Sequence, residues 1–241
     1  MTDRAVDLLL FVALPYVALT SLVVGSIVRY RTDRLRLSAF SSQLLESRRL
    51  LWGSIPFHAG IGILFAGHLL PFLAPDIWRR AVVRPGVLLT VEVVGAAAGL
   101  LALFGLVVLL VRRMSSARLR GASRFMDLAV LALLLAQVVL GLWVALGSRW
   151  GSVWSTGTTT PYLWSLLTLH PDPALVADLP LPARLHLTGA WLIFLVVPFS
   201  RLIHVFSLPL GYLVRPPQRV VWASRRRQEA RAGTTGTLRD R

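Results

Sequence analysis

The chain has 241 residues, is 55% hydrophobic, contains no cysteine and carries a net charge of +15, with every basic residue an arginine. The missing cysteines exclude disulfides, thiolate-held iron–sulfur clusters and cysteine nucleophiles, and the mean hydropathy of +0.66 excludes an ordinary soluble domain, which would be about 45–50% apolar. The arginines stand beside apolar runs long enough to cross ~30 Å of hydrocarbon, so they read as topology signals and anionic-lipid contacts, with no nucleic-acid role.

The first predicted span runs from about Val6 to Val28 and contains Pro15, which should kink it. Asp3, Arg4 and Asp7 precede it without the small-residue site of a cleavable leader. The following stretch, VRYRTDRLRLSAFSSQLLESRRL, places six arginines between Arg29 and Arg49 and should be cytoplasmic. A second span runs from near Leu50 to near Phe72. The connection LAPDIWRRAVVRPG should lie outside, although Arg79, Arg80 and Arg84 run against the positive-inside bias.

The third span, about Gly86 to Val111, carries Glu92, a candidate proton acceptor or interhelical hydrogen-bond partner. Its Gly95 and Gly99 step is expected to be a helix-packing face. RRMSSARLRGASR, with five arginines, is read as cytoplasmic. The fourth span, about Phe125 to Leu146, contains Gln137 and Gly141. A polar, Pro-rich connection from Gly147 to about Ala183 follows. Its Trp150, Trp154, Tyr162 and Trp164 suit an interfacial outer segment with one short surface helix, and His170 is expected to be structural or exposed.

The fifth span, about Arg184 to Leu213, is interrupted by Pro198 and Pro209. The basic tail beyond it should be cytoplasmic and disordered at its end. The expected fold class is an all-α membrane protein, a five-transmembrane-helix bundle with its N-terminus outside and C-terminus cytoplasmic. Residues 1–219 form the membrane domain and 220–241 the tail. This orientation puts 20 of the 26 arginines on the cytoplasmic side.

Four of the five histidines fall in two spans, His58 and His68 in the second, His186 and His204 in the fifth. Ionisable groups at membrane depth are costly and usually functional. The two spans run antiparallel, so depth pairs His58 with His204 nearer the inside and His68 with His186 nearer the outside. Two imidazoles per layer are too few for a closed zinc site. A porphyrin brings four equatorial nitrogens and needs only axial ligands, and two imidazoles close both axial positions, which suits electron transfer. The chemistry read here is two haems, with packed, hydrogen-bonded histidines as the competing reading. Gly60, Gly62, Gly67 and Gly189 would let a flat macrocycle approach, and Arg184 and Arg201 are placed to meet propionates. One mismatch stands: ten residues of helix separate His58 from His68, ~15 Å, while eighteen separate His186 from His204, ~27 Å, a difference that tilted helices, tilted haems and a bend at Pro198 could absorb.

WGSIPFHAGIGILFAGH and RLHLTGAWLIFLVVPFSRLIHVFSLPLGYLVRPPQ closely resemble the gamma subunit of membrane-bound respiratory nitrate reductase, over nearly the whole chain except the tail beyond about Val220. The resemblance implies a di-haem cytochrome b of the bacterial plasma (inner) membrane that oxidises menaquinol or ubiquinol in anaerobic respiration. Its inner haem b would match His58 and His204, and its outer haem b His68 and His186. Quinol would be oxidised beside the outer haem, and electrons would pass inward to an iron–sulfur beta subunit and a molybdenum alpha subunit that reduces nitrate to nitrite. The implied quinol site covers Gly67 and His68 with a basic residue at the start of the third span, for which Arg84 is the nearest candidate. Arginine keeps the charge but cannot readily carry a proton.

Two other readings stay open. The same di-haem module could serve another reductase, of sulfite or heterodisulfide type. A haem-free membrane anchor or transporter could explain the prolines inside the spans, though no inverted repeat is evident.

Overall fold

The computed structural model describes residues 2–32, 48–116, 125–147 and 151–205. Residues 33–47 and 117–124 of the two arginine-rich connections, the end of the expected fifth span beyond Val205 with its Pro209, and the basic tail lie outside the described residues. Every regular element among the described residues is helical. Five helices are long and apolar enough to cross a membrane: Arg4–Thr32, Leu51–Leu73, Pro85–Ser115, Phe125–Gly147 and Leu181–Phe199.

The first span is helical on both sides of Pro15. It widens into π turns at Leu9–Ala13 and Ser21–Gly25. Pro15 lacks an N–H, and its ring collides with a carbonyl one turn back in a normal helix. The wide turn just ahead of it relieves that conflict.

The second and third spans meet at backbone distance. A Cβ on Gly60 would stand 2.5 Å from the Ala98 carbonyl oxygen, and one on Gly105 would stand 2.5 Å from the Phe57 nitrogen. Gly53 lies against Gly105 and Leu109 in the same seam. Apolar side chains gain nothing by leaving lipid for one another, so close van der Waals approach through small residues has to hold such a pair together. Ala102, Leu106 and Val138 form the buried core between the third and fourth spans, with Phe57 and Leu64 packed against it. Gly99 takes Leu142 of the fourth span, consistent with a packing face, while Gly95 has open space where a side chain would stand.

The connection between the fourth and fifth spans is more structured than one short helix. It forms helices Gly151–Trp154, Thr159–Leu167 and Ala174–Ala177. Tyr162, expected at the interface, is fully buried with Phe11, Ala18, Leu166, Val176 and Trp191. Its hydroxyl donates to the Phe11 carbonyl at 2.9 Å, at the widened turn of the first span, where carbonyls leave the regular ladder. Burial pushes the Tyr162 phenol well above its ordinary value, so it stays a neutral donor. Tyr162→Phe should leave that carbonyl unsatisfied and cost about 1–3 kcal/mol, read as a lowered thermal midpoint in detergent.

The longest loop helix ends in a left-handed residue, Leu169, at φ 61°. The His170 and Leu169 N–H groups bond back to the Ser165 and Leu166 carbonyls, the paired closure of a Schellman cap. His170 therefore has a backbone role at the cap, and its ring is exposed.

Candidate functional site

Histidine rings from the second and fifth spans face each other in two places. The His58 and His204 ring centres are 6.1 Å apart, and those of His68 and His186 are 6.2 Å apart. Two imidazoles bound through nitrogen to one metal at ~2 Å each hold their ring centres about 6 Å apart. Both pairs therefore have the spacing that one metal held between two imidazoles would require. Among the described residues no group of three or more His, Cys, Asp or Glu side chains gathers in a metal-holding arrangement. Each pair brings two protein donors, which fits a metal whose remaining ligands arrive with it.

The ring orientations agree with this. His58 Nδ1 donates to the Ser54 carbonyl at 2.7 Å, and His68 Nδ1 donates to the Leu64 carbonyl at 2.7 Å. His204 Nδ1 bonds the Arg201 carbonyl at 2.6 Å, and His186 Nδ1 bonds the Gln137 carbonyl at 3.1 Å. A carbonyl can only accept, so each ring carries its proton on Nδ1 and keeps a lone pair on Nε2, which in His186 also lies 3.5 Å from the Gln137 side-chain amide nitrogen. Metal-ligating imidazoles are held in this way, with the far nitrogen hydrogen-bonded so that tautomer and tilt are set.

Three of these bonds are local, to carbonyls three or four residues back. His186 differs, because its partner lies on the fourth span. Gln137 also donates its side-chain amide to the His186 carbonyl at 2.9 Å, making the contact reciprocal. Two glycines clear its path. A Cβ on Gly141 would stand 2.9 Å from the His186 ring, and one on Gly189 would stand 2.4 Å from Gln137 Oε1. Gly189 thus makes room for Gln137, and Gly60 belongs to the seam with the third span. Of the four glycines expected to admit a macrocycle, Gly62 and Gly67 have open space where a Cβ would stand.

The two arginines beside the fifth-span histidines each meet an aspartate from another span. Arg184 forms an ion pair with Asp7 and lies over the Phe11 ring at 5.3 Å. Arg201 donates to the buried Asp127 at 2.8 Å, and Arg113 stands 3.9 Å from the same carboxylate. These aspartates fix where each guanidinium stands. Sequence reasoning passed over both, since nothing in spacing links residue 7 to 184 or 127 to 201.

At the His68 end, Phe72 one turn further on stacks with Trp164 of the connection between the fourth and fifth spans at 5.2 Å and 17°. The Trp164 indole N–H caps the Phe72 carbonyl at 3.1 Å, one of the last carbonyls of the second span. Trp78 donates to the Ser152 carbonyl at 2.8 Å, so two tryptophans tie this connection to the second-to-third span corner. Arg84 is exposed at the N-cap of the third span, in extended conformation.

The chain matches the family model described as nitrate reductase gamma subunit over residues 7–223. The nitrate reductase gamma chain of Bacillus subtilis is 34% identical over 207 residues, covering 84% of this chain and 92% of that one. The respiratory nitrate reductase 1 gamma chain of Escherichia coli is 34% identical over 215 residues, covering 86% and 93%. A Mycobacterium tuberculosis protein named nitrate reductase-like protein NarX is 35% identical over 213 residues, which cover 86% of this chain but 33% of that longer protein.

Proposed function

Because the chain belongs to the nitrate reductase gamma-subunit family, whose members are membrane subunits of an oxidoreductase, we propose that it is the quinol-oxidising di-haem cytochrome b subunit of a respiratory nitrate reductase. It takes electrons from menaquinol or ubiquinol at the outer side of the plasma membrane. It delivers them inward to an iron–sulfur beta subunit, which serves a molybdenum alpha subunit that reduces nitrate.

The observation that carries this reading is the pair of facing imidazoles at two separate places along the same two spans, 6.1 and 6.2 Å between centres. His58 and His204 would hold the inner haem b, and His68 and His186 the outer. When bound, a haem with two imidazole ligands supplies one-electron transfer with no open coordination position. Spans two and five hold the donors at two depths. The carbonyl partners of Nδ1 keep each ring in the binding tautomer.

Arg184 and Arg201, set by Asp7 and Asp127, would present positive charge to propionates at the two levels. Gly67, where a side chain would meet nothing, leaves the approach to His68 uncovered for a quinol head. Arg84 would add fixed positive charge at that side and no proton exchange. The N-terminus lies outside in this arrangement, and residues 220–241 form a basic cytoplasmic tail.

The purified chain should show a b-type reduced-minus-oxidised difference spectrum, two haems per polypeptide, and reduction of that haem on adding a quinol analogue. A preparation that is folded by circular dichroism and lacks haem absorption would refute the proposal. By itself the chain should show no nitrate reduction, because it contains no cysteine to hold a cluster.

A further inference from the structure

The fifth span cannot be one straight helix. Eighteen helical residues would carry His204 ~27 Å from His186, against ~15 Å between His58 and His68 on the facing span. The structure breaks the helix where the difference must be absorbed. Regular α-helix ends at Val196, a 3-10 turn covers Val197–Phe199, Ser200 is extended at φ −117° and ψ 179°, and a second 3-10 turn, Arg201–Val205, carries His204. Such a break strips several carbonyls of their helical partners. An unmet carbonyl in hydrocarbon costs several kcal/mol, so something has to meet them.

The first span does so, although it contains no histidine. Ser21 donates to the Leu195 carbonyl at 2.9 Å. Arg29 donates through one guanidinium nitrogen to the Pro198 carbonyl at 2.5 Å and to the Ser200 carbonyl at 3.1 Å. Between them Gly25 admits the proline ring, since a Cβ there would stand 2.8 Å from Pro198 Cβ and 2.9 Å from Cγ. Ser21, Gly25 and Arg29 are spaced by four. Four residues of α-helix overshoot one turn by ~40°, so such a row drifts round a regular helix. The π turn Ser21–Gly25 holds more residues per turn and falls short of one. The two steps nearly cancel, and the three residues align along the broken segment.

We propose that Arg29 is the positioning residue for His204: by holding the carbonyls of Pro198 and Ser200, it sets where the last turn of the fifth span stands opposite His58. This rests on the haem reading above. Arg29 touches neither ring. Its effect runs through four residues of backbone, and the Arg201 carbonyl that fixes His204 Nδ1 belongs to the same turn.

The test uses the full chain in detergent, with haem stoichiometry, low-temperature difference spectra, electron paramagnetic resonance and redox titration. His204→Ala and His68→Ala serve as spectral references for the inner and outer haem. Arg29→Ala should remove the inner haem or shift its potential and resonance signal, leaving the outer haem at wild-type values. Arg29→Lys, which keeps the charge but offers a single compact donor head, should restore part of the inner-haem signature. Arg31→Ala, removing the same charge two residues on from an exposed site, should leave both haems as they are. Gly25→Leu should repeat the Arg29→Ala result by pushing Pro198 away. Unchanged spectra and potentials in Arg29→Ala, or equal loss of both haems, would overturn the proposal. Absence of haem from the wild-type chain would instead remove the reading beneath it.

Discussion

Replacing His204 by alanine should leave the protein with one haem instead of two, and the same single loss should follow His58→Ala. His68→Ala and His186→Ala should remove the other haem and abolish quinol oxidation, a fall of at least a hundredfold. The asymmetry follows from the pairing. Each iron would be shared by one histidine from each span, so deleting either partner leaves a single imidazole to hold a macrocycle. A bound group stabilises the folded form by mass action, so the variants should also melt at lower temperature. Pyridine haemochrome assays and redox titration distinguish the outcomes. Retention of two haems in all four variants would refute the ligand assignment, as would pairing in any other combination.

Gly105→Leu should have the larger effect on the protein as a whole. The added Cβ would lie 2.5 Å from the Phe57 nitrogen, 2.6 Å from the Gly53 carbonyl oxygen and 2.8 Å from Phe57 Cβ. Two of those neighbours are main-chain atoms inside a helix, which cannot yield as a flexible side chain would. The second and third spans must therefore separate. Overpacking in a rigid seam costs typically 1–3 kcal/mol and occasionally more, and here lost helix contact adds to it. Since His58 lies one residue from Phe57, the displacement reaches the proposed inner-haem site as well. The expected result is strongly reduced abundance in the membrane and little haem in what remains. Gly95→Leu is the matching control on the same span, because a Cβ there meets nothing and folding should be near wild type. Normal accumulation of Gly105→Leu with two haems would show that the seam does not hold these spans.

Much of the architecture was written in local pattern. Five spans could be counted from the lengths of apolar runs, because the cost of placing polar backbone or side chains in hydrocarbon acts residue by residue and needs no knowledge of neighbours. The histidine partners also followed from chain direction alone, since antiparallel helices must match the first residue of one with the last of the other. Even the orientation of His58 and His68 is local, resting on carbonyls one turn back.

Packing decided the remainder. The two spans carry their histidines at unequal separations, and the sequence offered a bend at Pro198 beside helix tilt as ways to absorb the difference without choosing between them. The break at Pro198 does this, and it holds because Ser21, Gly25 and Arg29 of the first span lie against it. Gln137 meets His186 because Gly141 and Gly189 let the fourth and fifth spans approach closely. Asp7 and Asp127 find Arg184 and Arg201 across distances in sequence that carry no periodic signal. Tyr162 takes a buried place against Phe11, where a widened turn offers a carbonyl. Apolar length and charge asymmetry depend on composition within about 20 residues and are legible from one chain. Satisfaction of a broken helix end depends on which surface arrives beside it, and only the assembled bundle determines that.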